Sequence, residues 1–354
     1  MQRQNAALGC EALIEQDSFF QISKSFKSAK ATARASRTRR LGIDSQFYVN
    51  RGHILGAMKR RTWFLAIFVA MVAALIALAQ SPVKRPAITG VAHVALKAND
   101  ADAAVKFYGQ DLGFQQLTPL QFKVNDHQYI VITRETLTDA DDRLSHIAFE
   151  TANAKQLRDY LASKGVKAPA SVGPDQDGNV SFFITDPEGH QVEFVEYRKG
   201  SRQSRQFGKF FGDTRISERI IHAGFLVSDR AAEDALYKDV LGFDVMWHGG
   251  KTETSDDWID MRVPDGDDWL EYMCYVKNPS AKTRGVMNHL ALGPSSVETA
   301  YNRLLERGAT PAEKPKIGRD GKWQLNLYDA DLTRAELMEP KPVQTPCCSA
   351  FRSR

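Results

Sequence analysis

The chain repeats itself, and that repeat constrains its fold more than any other feature. GVAHVALKANDADAAVKFYGQDLGF, ending at Phe114, aligns without a gap with IIHAGFLVSDRAAEDALYKDVLGF, ending at Phe243. His93 to Phe114 and His222 to Phe243 are equal intervals of 21 residues, with Tyr108 and Tyr237 at matching places inside them. SHIAFETANAKQLRDYLASKGVK matches NHLALGPSSVETAYNRLLERGAT, so that His146 to Gly165 and His289 to Gly308 are both 19 residues. Glu193 and Glu336 then follow His146 and His289 at the same interval of 47. Residues 88–198 and 216–340 are therefore two copies of one domain, each built from two half-domain modules. Residues 199–215, basic and Gly/Ser-containing, read as an exposed linker between them.

Each module reads as a strand, a helix and two or three further strands, which is an α+β pattern. In the last module GVMNHLALG alternates like a strand, and Ser295 with Glu298 forms a capping box. The helix that follows turns Val297, Ala300, Tyr301, Leu304 and Leu305 inward, and Gly308 stands where a terminating glycine belongs. In the first module of the second domain Asp229 caps a helix whose inner face is Ala232, Ala235, Leu236 and Val240.

Side chains alternate across a strand, so parity assigns faces. Opposite His222 lie Ile221, Ala223, Phe225 and Val227; opposite His289 lie Leu290 and Leu292. Glu271 stands against Leu270, Tyr272 and Cys274, and Glu336 against Ala335 and Leu337. Four polar residues thus back onto apolar faces and are free to share the other face of a curved sheet. Seven histidines follow residue 79, and four of them (His93, His146, His222, His289) take the equivalent place in a module's first strand. A lone strand histidine is ordinarily a hydrogen-bonded core residue. Four at repeat-equivalent places, joined by module-terminal glutamates, point to metal ligation.

The histidine-bearing first strands, the FYGQDLGF and LYKDVLGF helix ends and above all DPEGHQVEF at 186–194 resemble the vicinal oxygen chelate superfamily, which includes glyoxalase I, extradiol dioxygenases, fosfomycin-resistance proteins and bleomycin-binding proteins. The resemblance covers nearly all of 88–340. It implies paired βαβββ modules whose sheets curve round a metal or ligand cleft. His222, Glu271, His289 and Glu336 are similar to the glyoxalase I pattern, in which each module supplies one His and one Glu. Such a set suits Ni, Zn, Co, Mn or Fe(II), with Glu271 or Glu336 as the base that takes a proton α to a carbonyl. The first domain retains His93, His146 and Glu193, a two-histidine, one-carboxylate set, but Gln128 lies 18 residues before His146 where Glu271 precedes His289. Four modules in one chain also resemble extradiol dioxygenases. An acid–base Tyr expected about ten residues before the last Glu is here Asn326, with Tyr328 two residues on. DADLTRAEL replaces the Asp-Pro-x-Gly turn before Glu336. The reaction implied is isomerase or lyase chemistry α to a carbonyl, with Fe(II)-dependent ring cleavage, or binding without turnover, as alternatives.

Composition fixes the surroundings. Residues 1–79 hold 12 Lys/Arg and 4 Asp/Glu, whereas the remainder holds 35 and 39, so no nucleic-acid footprint exists beyond the N-terminal third. Lys59-Arg60-Arg61 precede a 17-residue apolar run, Trp63 to Ala79, ending in a small-x-small pattern. Residues 58–79 therefore read as a signal peptide cleaved after Ala79, which implies export, or alternatively as a single membrane anchor. Met58 is then the expected start, and 1–57 an unstructured extension. Residues 341–354 read as an unstructured tail in which Cys347 and Cys348 are incidental thiols or a soft-metal or redox site. Trp258, Trp269 and Trp323 with Arg319 and Lys322 are either the wall of a cleft for a small anionic or aromatic ligand, or core and solvated loop. The sequence sets no oligomeric state.

Overall fold

The computed structural model describes residues 83–280, 283 and 287–353, together with Met71. The extension at 1–57 and the signal or anchor segment at 58–79 lie outside the described residues, Met71 apart. Among the described residues no helix is long and apolar enough to cross a membrane.

The first domain runs β1 (Ile88–Ala98), α1 (Ala101–Val105), β2 (Gln115–Thr118), β3 (Gln121–Lys123) and β4 (Tyr129–Arg134). Its second module is β5 (Leu144–Thr151), α2 (Ala154–Ser163), β6 (Gly173–Pro174), β7 (Val180–Thr185) and β8 (Gln191–Glu196). A short helix, α3 (Arg202–Arg205), follows in the linker. The second domain repeats the plan with β9 (Ile220–Leu226), α4 (Arg230–Asp234), β10 (Asp244–Gly249), β11 (Trp258–Arg262) and β12 (Trp269–Met273). It ends with β13 (His289–Leu292), α5 (Val297–Glu306), β14 (Lys316–Ile317), β15 (Trp323–Tyr328) and β16 (Arg334–Met338). Each domain is one eight-stranded sheet, in the orders β2-β3-β4-β1-β5-β8-β7-β6 and β10-β11-β12-β9-β13-β16-β15-β14. The two histidine-bearing strands of each domain, β1 with β5 and β9 with β13, pair antiparallel at the centre and join the modules. The expected pairs of βαβββ modules are present in both domains.

Sequence reasoning placed several details wrongly, each for a local reason. The α5 cap is Ser296, which accepts from the Thr299 N–H, one residue beyond the expected Ser295. Asp229 caps α4 as expected, but the helix continues as a π-helix over Ala235–Val240. That wider turn rotates the inner face, so Glu233, Leu236 and Tyr237 are buried while Ala235 is exposed. A bulge in β9 breaks the strict alternation, turning Ile221 to the His222 side, where it packs with Trp269, Ala291 and Met338. Linker residues Ser201 and Gln203 are buried, not exposed, because the segment folds back on the first domain. There Lys123 donates to Gln206 O and Lys209 O, and Gln203 bonds Asn179 and Asp177. The tail is ordered too. Ser349 bonds both ways with His248, and Phe351 stacks on Trp247 at 6.1 Å.

A single apolar core, including Tyr108, Phe149, Tyr237, Phe243 and Leu304, spans both domains. Their docking is reciprocal. Tyr237 OH donates to Asp186 in the turn before β8, and Tyr108 OH donates to the equivalent Asp329 before β16, both at 3.2 Å. Glu188 accepts from the Ser228 and Asp229 N–H groups at the start of α4, and Asp331 accepts from Asn99 and Asp100 before α1. Each domain's last turn therefore holds the other's first helix by its N-terminus. DADL departs from DPEG in sequence, yet keeps both carboxylates. What changes is Leu332, which takes φ 62° where Gly189 has φ 94°.

This junction contains one poorly compensated acid. Glu233 is fully buried; one oxygen accepts from Glu188 N–H at 2.8 Å and the other has no partner. Burial, followed by repulsion from Asp186, pushes its carboxyl up to about 9. The folded state thus keeps a proton that the unfolded chain releases above about pH 4.3, and stability falls as pH rises from there toward 9. Glu233→Gln should raise stability by on the order of 1–3 kcal/mol at pH 8 and leave it unchanged near pH 4, as read from denaturant midpoints at the two values.

Candidate metal centre

Four strands bring His222, His289, Glu271 and Glu336 onto one face of the second sheet. All four are buried, with one ligand atom of each lying within 4.8 Å of the others. His222 Nε2 and His289 Nε2 are 3.1 Å apart, and Glu336 Oε2 lies 3.4 and 3.2 Å from them. Glu271 Oε2 is 3.6 Å from His289 Nε2. The backing residues Ala223, Phe225, Leu270, Tyr272, Leu290, Leu292, Ala335 and Leu337 belong to the core, as parity requires. His289 is registered opposite Gly224, where any β-carbon would strike its imidazole. Glycine here lets the ring lie against β9. The Nδ1 of His289 is 2.9 Å from Met287 O, so donation to that carbonyl leaves Nε2 as an inward acceptor.

The electrostatics divide the four. Burial opposes ionisation of Glu336, but the Arg334 guanidinium and then the two imidazoles beside it overcome that and hold its carboxyl well below the usual range. Burial, then repulsion from Glu336, pushes Glu271 well above it. Burial lowers His222, and burial with Arg334 pushes His289 down to about 3. Two neutral imidazoles and one carboxylate therefore face inward. Glu271 Oε2 is buried with no hydrogen-bond partner, the environment in which a cation at the centre would satisfy it. The donor set fits a divalent ion.

Arg334 escaped sequence reasoning although it lies two residues before Glu336, on the same face by parity. Its Nη2 is 2.9 Å from Glu336 Oε2 and 3.1 Å from His289 Nε2, so it competes for two of the four acceptors. The first domain has no such cation. There His93 Nε2 and His146 Nε2 are 2.8 Å apart, with Glu193 Oε2 3.2 and 3.4 Å away. Burial opposes ionisation of Glu193, but bonds to His146 and His93 hold it low. Gln191, paired with His146 as Arg334 is with His289, points to Thr185 instead.

Gln128 is not the counterpart of Glu271. Trp269 is registered with His222 and Tyr129 with His93, so Glu271 corresponds to Val131, and Gln128 to Asp268. The chain between strands is three residues shorter in the first domain, which misleads a count back from the histidine. Gln128 instead bonds Ile220 N and O and, at 3.0 Å, Asp268 across the domain junction.

The sequence profile of the Glyoxalase/Bleomycin resistance protein/Dioxygenase superfamily matches residues 90–194 and 219–336. The chain belongs to this superfamily. Three solved relatives share its fold. A variant of homoprotocatechuate 2,3-dioxygenase from B. fuscum has 16% identity and a TM-score of 0.56, covering 74% of each chain. The 2,3-dioxygenase LapB from Pseudomonas sp. KL28 has 15% identity and a TM-score of 0.55, covering 74% of this chain and 97% of its own. A catechol 2,3-dioxygenase has 16% identity and a TM-score of 0.55, covering 74% and 92%. No curated protein sequence matches the chain.

Beside the second cluster of this superfamily member opens a cleft of about 850 Å³. Glu271, Glu336, Arg334, Asn326 and Asp260 reach its floor, and Trp247, Trp258 and Tyr275 supply aromatic surface. Of the residues expected at its wall, Trp258 and Arg319 line it. Trp269 is buried against His222, Trp323 packs on the core, and Lys322 is buried between the Trp269 and Phe351 rings. Tyr328 is exposed, opposite Arg334. The tail residues Gln344 to Cys347 close one side.

Calorimetric titration with Zn²⁺ separates the two centres. His289→Ala should abolish the second-domain site and His146→Ala the first. Arg334→Gln, which copies the first domain, should tighten the second site about tenfold or more, because a charged hydrogen bond of about 1.5–3 kcal/mol no longer competes.

Proposed function

We propose that the second-domain cleft is the active site of a metal-dependent enzyme that moves a proton α to a carbonyl of a small molecule, in an isomerase or lyase reaction. The observation that carries this reading is Glu271. It adds a second carboxylate to a set that already has two histidines and Glu336, whereas Val131 at the equivalent place in the first domain has none. A divalent ion held by His222, His289, Glu336 and Glu271 would polarise a substrate carbonyl, an effect worth several kcal/mol. Glu336, paired with Arg334 and in contact with both imidazoles, is tied down. Glu271 faces the cleft and no hydrogen bond ties down its Oε2, so of the two carboxylates it is the one able to leave the ligand set and take and return the proton. Arg334 lines the cleft beside the ligands, so its guanidinium would favour negative charge developing on a substrate oxygen. The aromatic wall suits a planar or aromatic substrate. We propose export of the chain on the strength of the apolar segment ending at Ala79.

The second reading is Fe(II)-dependent extradiol ring cleavage. It is supported by the four-module fold shared with catechol and homoprotocatechuate dioxygenases and by the aromatic cleft. In that reaction His222, His289 and Glu336 suffice and Glu271 is idle.

Glu271→Gln decides between them. With Ni²⁺, Co²⁺ or Fe²⁺ supplied, proton–deuterium exchange α to the carbonyl of small hydroxyketones and oxoaldehydes should fall at least 10²-fold in the variant, while metal content stays measurable. Oxygen consumption with catechols, unchanged by the substitution, would replace the isomerase reading by the dioxygenase one.

A further inference from the structure

The tail brings two adjacent cysteines to the mouth of the second-domain cleft, and neither the core nor the metal cluster uses them. Cys347 and Cys348 are joined as a disulfide, and Gln344, Thr345, Pro346 and Cys347 form one side of the cleft. The pair rests on two other segments. Arg319, in the turn between β14 and β15, accepts the Cys347 N–H on its carbonyl at 2.8 Å and places Nη2 2.7 Å from Cys347 Sγ. The same guanidinium bonds Gly250 O and Glu253 in the loop after β10, and Cys348 Sγ lies 3.4 Å from the Thr252 carbonyl of that loop. Both cysteines are half-buried, so solvent reaches them. Cys348 takes φ 72°, in the left-handed region that strains a non-glycine residue. Breaking the bond that joins the pair lets that backbone relax.

The geometry points to a redox-active disulfide at Cys347–Cys348, reduced by dithiols, whose opening releases the strap that walls the cleft. The asymmetry of its surroundings sets the direction of attack. A reductant thiolate attacks Cys348 Sγ and forms a mixed disulfide as the Cys347–Cys348 bond breaks. The electron pair leaves with Cys347, whose thiolate is stabilised by the Arg319 guanidinium beside it. The reductant's second thiol then displaces Cys348. The dithiol is oxidised to its own disulfide by two electrons, and its two protons end on Cys347 and Cys348. Glu253 Oε2, 3.6 Å from Cys347 Sγ, opposes the thiolate, but this carboxylate is shared with Arg319 at 3.0 Å. Release reaches past the sulfurs, because Trp247 Nε1 donates to Cys347 O and Ser349 bonds His248.

The test uses the full chain, with neither metal nor substrate, so its failure would leave the proposed reaction untouched. The protein is poised in dithiothreitol buffers of graded potential while free thiols are counted and hydrogen exchange is followed by mass spectrometry. Two additional thiols should appear together, with a single two-electron midpoint. At that midpoint, exchange over residues 250–256, 318–322 and 344–351 should rise at least tenfold while β13 is unchanged. A guanidinium shifts a thiol by about 1–2 pH units, so with a leaving-group dependence near one half Arg319→Leu should slow release roughly three- to tenfold, and Arg319→Lys should retain most of the rate. Cys348→Ser should show fast exchange at every potential. Thiols that appear only in denaturant, or that appear with exchange unaltered, would overturn the proposal. An Arg319→Leu rate equal to wild type would overturn the assigned direction of attack.

Discussion

The reciprocal docking of the two domains is the constraint from which the rest of the molecule follows. Asp186 receives Tyr237, Asp329 receives Tyr108, and the carboxylates of Glu188 and Asp331 cap the opposite domain's first helix. These bonds place polar groups inside a junction that also contains Phe149 stacked edge-on against Phe243 at 5.3 Å. Apolar packing alone tolerates sliding, whereas a buried phenol that must reach one carboxylate does not. The specificity has a cost. Burial pushes Asp329 up to about 6, and Glu233 sits beside Asp186 with one oxygen unpartnered. The junction is built for register more than for stability.

Because the turns that dock lead directly into β8 and β16, the same interaction positions the carboxylates of both candidate metal clusters. Glu193 and Glu336 each lie seven residues beyond the docking aspartate. The two domains consequently hold similarly spaced pairs of histidines with one glutamate, and differ at a few positions around them. Glu271 replaces Val131, Arg334 replaces Gln191, and Gly224 replaces Ala95 opposite the second histidine. The first set is a plain candidate site of three ligands. The second adds a carboxylate with an unsatisfied oxygen, a guanidinium beside the ligands and a deep cleft. A duplicated framework has kept one cluster simple and elaborated the other.

Much of this was legible in the sequence, and the failures share a physical cause. The repeat intervals located both domains, and strand parity put four polar residues on one face because alternation holds through β12, β13 and β16. Parity failed at Ile221, where a bulge inserts a residue that the pattern does not register. Counting failed at Gln128, because loops change length while strand register does not. Arg334 was readable by the same parity that found Glu336, but a cation among expected cation ligands contradicts the motif and is passed over. The tail looked unstructured because its contacts, Trp247 with Phe351 and His248 with Ser349, are about a hundred residues away in the chain. Local pattern carries no trace of such partners.

The elaboration of the second cluster extends outward from the ligands to that tail. His222 packs against Trp269 with ring centroids 5.0 Å apart, Trp269 lies 4.5 Å from the Lys322 ammonium, and Lys322 is in turn covered by Phe351 at 4.6 Å. Lys322 is buried, with Asp320 3.4 Å away and Asp260 acting on it from the cleft floor. A buried ammonium needs both its carboxylates and its ring faces, since each alone compensates only part of the desolvation. Phe351 therefore does more than end the chain: it completes the cation's enclosure, and through Trp269 it bears on the imidazole of a candidate ligand. The first domain has Asn179 at the place of Lys322 and Tyr129 at the place of Trp269, and the linker that folds back there bonds Asn179 through Gln203 with no buried ammonium to enclose. The wall of the second cleft and the packing behind its His222 thus rest on the same C-terminal segment.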